Sequence, residues 1–131
     1  MELLTPISPG ELLDKLTILD IKSERIADPD KLANVNRERE LLEAVWRDAG
    51  LDNESIRALR SELKRINEAL WVIEDDIREE ERQARFGERF IELARSVYIT
   101  NDQRAAIKKQ VNLELDSAIV EEKSYRDYRQ D

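Results

Sequence analysis

The sequence predicts an all-α protein, an antiparallel bundle of four to five helices with one long central helix at about 54–82. Glycine and proline, which disfavour helix interiors, each occur only 3 times in 131 residues. Apolar side chains recur at steps of three and four residues, the spacing of one helix face. Charged residues make up 40% of the chain. Because the apolar residues repeat on one face of each helix, we expect the charged residues on the opposite, solvent-facing side, as in a folded bundle and not a disordered chain. We expect a single domain over 1–131, with 121–131 a polar C-terminal tail.

The first helix has a complete start signal. Ser8 is the predicted N-cap, and Pro9 occupies the first helical position. Glu11 completes a capping box with Ser8. Ile7 and Leu12 are spaced to form a hydrophobic staple around it. Apolar residues of this helix form two stripes on opposite sides, Leu12, Leu16, Leu19 and Ile26 on one and Ile18 and Ile21 on the other. Because a surface helix has one stripe, we expect a central position or an oligomer contact.

A second helix is predicted to begin after Asp28, with Pro29 at its first position, and to end at Gly50. Arg39 occupies the polar gap in its apolar stripe, which comprises Leu32, Val35, Leu42, Trp46 and Ala49.

The third helix, capped by Asp52 or Asn53, has the strongest pattern. Its seam is Ile56, Leu59, Leu63, Ile66, Leu70, Ile73 and Ile77. A parallel zipper built on this seam would form no opposite-charge pair between its flanking positions, so we favour an antiparallel bundle. Residues 69–73 are apolar on all sides, and we expect them to be covered from several directions.

Residues 74–85 are charged, and the apolar pattern resumes with Phe86, Phe90, Leu93 and Val97. This stretch is either a separate fourth helix or the third helix continued after a kink. Thr100 and Gln103 form a further capping box, which predicts a fifth helix carrying Ile107, Val111 and Leu115.

The missing residue types exclude whole classes of chemistry. The chain has no cysteine and no histidine, which excludes thiolate nucleophiles, zinc–thiolate sites and Ser-His-Asp triads. Any catalysis must use carboxylates, Lys, Arg, Tyr, Ser or Thr. We predict no cofactor and no bound metal.

Charge and hydropathy limit the partners. The longest apolar run is far shorter than the about 20 residues of a membrane span, and no signal peptide is recognisable. We expect a cytoplasmic protein with no membrane contact. A formal charge of −8 argues against tight, sequence-independent nucleic-acid binding. A short basic face at Arg57, Arg60, Lys64 and Arg65 has no interleaved aromatic residue.

Two groups of side chains could bind a small anion. The first comprises Lys22, Arg25, Arg39, Arg104 and Lys108, which could hold a carboxylate or phosphate or simply form surface ion pairs. The second comprises Asn67, Trp71 and Glu74 beside the seam of the third helix. These either line a ligand site or belong to a structural network with Arg39 or Asn112. Burial of Glu74 would raise its pKa toward a useful acid–base range.

A carboxylate cluster offers another possibility. Asp75, Asp76, Glu79 and Glu80 are spaced one helical turn apart and could hold Mg²⁺ in a nucleotide hydrolase. The alternative is a solvated face neutralised by Arg78 and Arg82.

Several segments together resemble an uncharacterised family of small bacterial all-helical proteins. They are 8–19, which reads SPGELLDKLTIL, continued by 21–22 and 24–26, and then 70–75, 93–98, 101–108 and 121–125. A family of unknown function implies no activity. The resemblance does draw attention to polar residues that helix packing does not explain, namely Asp14, Lys15, Lys22, Arg25, Trp71, Glu74, Asn101, Asp102, Arg104 and Lys108.

We therefore expect a helical interaction module that self-associates into a homo-oligomer or binds a protein partner. The first alternative is an enzyme or binding protein for an anionic small molecule, with Lys22, Arg25, Asn67, Trp71, Glu74, Arg104 and Lys108 as its candidate residues. The second alternative is the Mg²⁺-dependent hydrolase.

Overall fold

A computed structural model describes residues 1–129, so the last two residues of the predicted 121–131 tail lie outside the described range. Four helices form: α1 at Pro9–Arg25, α2 at Pro29–Ala49, α3 at Glu54–Arg82 and α4 at Glu88–Glu114. Residues 1–129 contain no strand, which confirms the all-α prediction. Among these residues, no helix combines the length and the apolar character that crossing a bilayer requires.

The helix boundaries are set by local capping, as predicted. Ser8 Oγ accepts a hydrogen bond from the backbone N–H of Glu11 at 3.2 Å. Asn53 Oδ1, rather than Asp52, caps α3 by accepting from the backbone N–H of Ile56 at 2.9 Å. Each side chain satisfies an amide that has no partner inside its helix.

Local sequence also sets both ends of α2. Asp28 Oδ1 caps α2 by accepting from the backbone N–H of Asp30 at 2.9 Å. At the other end of α2, Gly50 adopts φ 66°. This left-handed conformation is open to glycine at little cost and ends the helix.

The prediction of a fifth helix is wrong, because α4 continues through Thr100 without a break. Ser/Thr-x-x-Gln marks a helix start only where the Ser or Thr backbone is extended, and here Thr100 lies inside the helix. The third and fourth helices are separate. At the end of α3 the backbone N–H of Arg85 donates to the carbonyl of Glu80 at 2.9 Å, and Ala84 adopts φ 53°, so the chain turns away rather than continuing.

Helix α1 is the central element, because it packs against α2, α3 and α4. Both of its apolar stripes are therefore used within one chain, and Ile21 on the second stripe is only 1% exposed. Helix α4 runs antiparallel to α1, since the start of α1 at Gly10 meets the end of α4 at Asn112. It also runs antiparallel to α3, since Ser55 meets Glu114.

The core lies where the first half of α1 meets the first half of α3. Its buried members are Leu12, Leu13, Leu16, Trp46, Ile56, Leu59, Leu63 and Val111. The predicted seam of α3 is thus buried at its beginning. Farther along, Ile66, Ile73 and Ile77 are half-buried, and Ala69 and Val72 are exposed. One chain therefore does not cover 69–73 from all directions.

Candidate functional site

A groove of about 530 Å³ lies between the second half of α1, the middle of α3 and the centre of α4. Its lining residues are Ile18, Ile21, Asn67, Leu70, Trp71, Glu74, Asp75, Arg78, Asn101 and Arg104. A volume of this size is in the range of small-molecule sites, which are mostly apolar with a few placed polar groups.

Helical spacing brings these side chains to one place. On α3, Asn67, Leu70, Trp71 and Glu74 follow steps of three and four, so they share one face. The same spacing places Ile18 and Ile21 together on α1, and Asn101 and Arg104 together on α4. Of the residues predicted from the sequence, the groove thus unites Asn67, Trp71, Glu74 and Arg104.

At the bottom of the groove, Asn67 belongs to a buried polar cluster. Its Nδ2 donates to Asp14 Oδ1 at 2.9 Å and to Thr17 Oγ1 at 2.9 Å. The structural network expected around Asn67 therefore exists, but its partners are on α1 instead of being Arg39 or Asn112. Asn112 instead accepts from the backbone N–H of Gly10 at 2.7 Å.

Arg104 differs from the other half-buried cations. Within residues 1–129 the half-buried cationic side chains are Lys22, Arg39, Arg60, Lys64, Arg104 and Lys108. Four of these form ion pairs, whereas Arg104 and Lys22 form none with any described residue. Arg104 lies near enough to Glu11 to help lower the pKa of that carboxyl, but no carboxylate of residues 1–129 lies within ion-pair distance of it. A half-buried arginine without such a partner is typical of a binding site.

Two further hydrogen-bond donors face the groove without a partner among residues 1–129. Trp71 and Asn101 are both half-buried lining residues. Neither the indole N–H nor the side-chain amide makes a hydrogen bond to a described residue. The lining of the groove therefore includes an arginine, a tryptophan and an asparagine whose side-chain donors have no partner among residues 1–129, together with apolar side chains.

Glu74 lies at the rim. Its side chain is 42% exposed and forms an ion pair with Arg78, one turn later on α3. The burial on which an acid–base role for Glu74 would depend is therefore not present.

Lys108 lies outside the groove, in an ion cluster between α1 and α4. Its Nζ is 2.5 Å from Glu11 Oε2, 3.6 Å from Asp14 Oδ2 and 3.4 Å from Glu121 Oε2. Burial alone would lower the pKa of Lys108, but these carboxylates outweigh it and raise the pKa above the ordinary value. Glu11 thus makes only half of the predicted capping box, because its carboxylate binds Lys108.

The other predicted cations are also outside the lining. Lys22 and Arg25 occupy the last turn of α1, on the side that carries Ile18. Arg39 pairs with Asp20 at 2.7 Å, across the α1–α2 contact. The groove therefore does not bring Lys22, Arg25 and Arg39 together with Arg104.

Most side chains of the remaining candidate clusters form ion pairs, whereas the exposed Asp75 and Arg65 form none with a described residue. In the carboxylate stretch, Asp76 pairs with Arg89, Glu79 with Arg82 and Glu80 with Arg85. Within residues 1–129 no group of three or more acidic side chains is placed to hold a metal ion. On the basic face, Arg57, Arg60 and Lys64 bind Asp52, Glu43 and Glu24.

Sequence analysis missed part of the groove. The apolar floor of Ile18, Ile21 and Leu70 was assigned to packing, and Arg78 was assigned only to neutralising neighbouring acids. The pairing of Asp14 with Asn67 was also missed, although both were noted as polar residues close to apolar faces.

Comparisons with known proteins add a family and nothing more specific. Residues 3–129 match a family described as a family of unknown function, DUF6165. No curated protein matches the chain, and no solved structure does.

Proposed function

Because the chain belongs to the DUF6165 family, whose function is unknown, we propose a function from its geometry: it binds a small organic anion with an apolar part in the groove between α1, α3 and α4. The observation that carries this proposal is Arg104, a half-buried arginine that lines the groove and pairs with no carboxylate of residues 1–129. A carboxylate or phosphate ligand would supply the missing charge.

The rest of the groove fits the same ligand class. Trp71 and Asn101 add neutral donors that can contact an anion, and Ile18 and Leu70 offer an apolar surface to the body of the ligand. The Glu74–Arg78 pair at the rim is neutral as a unit. Asp75 also lines the groove but is exposed to solvent, so the half-buried Arg104 is the charge that would bind the anion inside the groove.

An NMR titration with 3-phenylpropionate tests this proposal. We expect saturable shifts of backbone amide signals around the groove in the wild type, and none with 3-phenylpropionamide, which is neutral. Arg104→Gln should weaken binding at least about tenfold, the loss expected for a charge-assisted hydrogen bond. Arg95→Gln is the matched control, because Arg95 is exposed on α4 and lies outside the groove. Equal affinity for the acid and the amide would overturn the proposal.

Self-association is a second candidate function, supported by the exposed part of α3. Ala69 is exposed and Val72 is 46% exposed. Next to them, a cavity of about 510 Å³ is lined by α3 and α4 alone, including Ile66, Ala106 and Ile107. We propose that a second copy of the chain covers this surface.

Sedimentation velocity tests this second candidate. Ala69→Arg places a long charged side chain on this surface, and it should preserve the helix because arginine, like alanine, favours helix formation. We expect a dimer in the wild type at about 100 μM and a monomer in the variant. Ala33→Arg, on an exposed position of α2, is the control. A wild type that remains monomeric up to about 1 mM would contradict it.

A further inference from the structure

The hydrogen-bonding pattern around Asn67 fixes the orientation of its amide. An ionised carboxylate only accepts hydrogen bonds, so the group 2.9 Å from Asp14 Oδ1 must be the amide nitrogen. Thr17 Oγ1 donates its single hydrogen to the backbone carbonyl of Asp14 at 2.8 Å. It therefore accepts from Asn67 as well. Both amide hydrogens of Asn67 are used on α1.

The opposite end of the same amide has no partner. No described donor contacts Asn67 Oδ1, although Asn67 is only 5% exposed. Within residues 1–129 no side-chain oxygen or nitrogen is both fully buried and unpaired. Oδ1 therefore retains contact with solvent, and the groove is the opening that Asn67 lines.

A hydrogen-bond acceptor at the bottom of the groove favours ligands that carry a hydrogen-bond donor. A ligand that fills the groove would remove the solvent contact of Asn67 Oδ1, and a buried acceptor without a donor loses its hydration without compensation. Asn67 cannot rotate its amide to offer a donor instead, since that would direct its oxygen at the carboxylate of Asp14. The bottom of the groove thus presents a fixed acceptor.

We propose that the ligand carries a hydroxyl or ammonium group beside its anionic group, as in an α-hydroxy or α-amino carboxylate with an apolar side chain. This inference rests on the proposed anion-binding function. Arg104 would bind the carboxylate, and Asn67 Oδ1 would accept from the hydroxyl or ammonium group. The apolar side chain would contact Ile21, Leu70 and Trp71.

Three probes with one carbon skeleton test the inference. 3-Phenylpropionate has no additional donor, 3-phenyllactate has a hydroxyl, and phenylalanine has an ammonium group. We expect one or both donor-bearing probes, tested as separate enantiomers, to bind the wild type about tenfold more tightly than 3-phenylpropionate, the gain from one good hydrogen bond. The more tightly bound of the two identifies the donor as neutral or charged.

The outcomes separate the two proposals. If all three probes bind with equal affinity, the anion site stands and the required donor is refuted. If none binds, the proposed function itself fails. Asn67→Leu should abolish the preference for the donor-bearing probes over 3-phenylpropionate. Because this variant also removes the hydrogen bonds to Asp14 and Thr17 and could unfold, the comparison on the wild type decides the matter without it.

Discussion

Helices α1 and α4 approach each other closely at Gly10, so adding a single methyl group there should have a large effect on stability. A Cβ atom at this position would lie 2.5 Å from the backbone oxygen of Lys108 and 2.9 Å from Asn112 Oδ1. The backbone oxygen of Lys108 cannot move out of the way by rotation, as the end of a side chain could. Gly10→Ala would therefore push α1 and α4 apart, and would strain the hydrogen bond from Gly10 N–H to Asn112, which is 2.7 Å long.

The expected cost follows from three contributions. Alanine in a helix is favoured over glycine by about 1 kcal/mol. Overpacking a tight contact costs about 1–3 kcal/mol, and weakening a buried hydrogen bond costs about 1 kcal/mol more. Gly10→Ala should therefore lower the free energy of unfolding by about 1–3 kcal/mol, although the same substitution stabilises an ordinary helix.

Urea unfolding followed by circular dichroism measures this difference. Gly87→Ala is the control, since a Cβ at Gly87 meets nothing within 4 Å. Because Gly87 is the N-cap of α4, where alanine is less favourable than glycine, its loss of stability should stay below about 1 kcal/mol. If Gly10→Ala were as stable as the wild type or more stable, the close contact of α1 with α4 would be refuted.

Two further predictions concern charged side chains. Arg104→Met should leave the melting temperature unchanged or raise it. Arg60→Met should lower the free energy of unfolding by about 1 kcal/mol, because Arg60 pairs with Glu43. Thermal unfolding measures both variants, and equal losses of stability would contradict the assignment of Arg104 to binding. Burial would raise the pKa of Glu11, but Lys108 outweighs it and holds the pKa below the usual value. Glu11 therefore stabilises the fold above about pH 4.3 and loses this effect as the pH falls through its folded pKa. Urea unfolding should show that the loss of stability in Glu11→Gln is smaller at pH 3 than at pH 7, and an equal loss at both pH values would refute this linkage.

The elements that could be predicted from the sequence are those set by neighbouring residues. Ser8 and Asn53 cap helices within three residues of themselves, and the seam of α3 repeats along one helix. Thr100 has the same local pattern as a cap, yet it lies inside α4. The pattern at Thr100 and Gln103 contains no information about the packing of α4 against α1 and α3, which is better satisfied by one continuous helix than by two.

The groove could not be predicted in full, because it is formed by residues that are far apart in the sequence. Asn67 and Asp14 are 53 residues apart, and only the register between α1 and α3 brings them together. Arg104 and Lys108 looked equivalent in sequence, one turn apart on the same helix. The structure separates them, because Lys108 meets three carboxylates and Arg104 meets none among residues 1–129.

The indole signals of the two tryptophans test the anion-binding groove most directly. Trp71 lines the groove, whereas Trp46 is buried in the core on the other side of α1. In a ¹H–¹⁵N spectrum titrated with 3-phenyllactate, the account predicts a saturable shift of the Trp71 indole signal and no shift of the Trp46 signal. In Arg104→Gln the Trp71 shift should require at least about tenfold more 3-phenyllactate. A Trp71 signal that stays in place at saturating probe, or one that shifts at the same probe concentrations in Arg104→Gln, would contradict it.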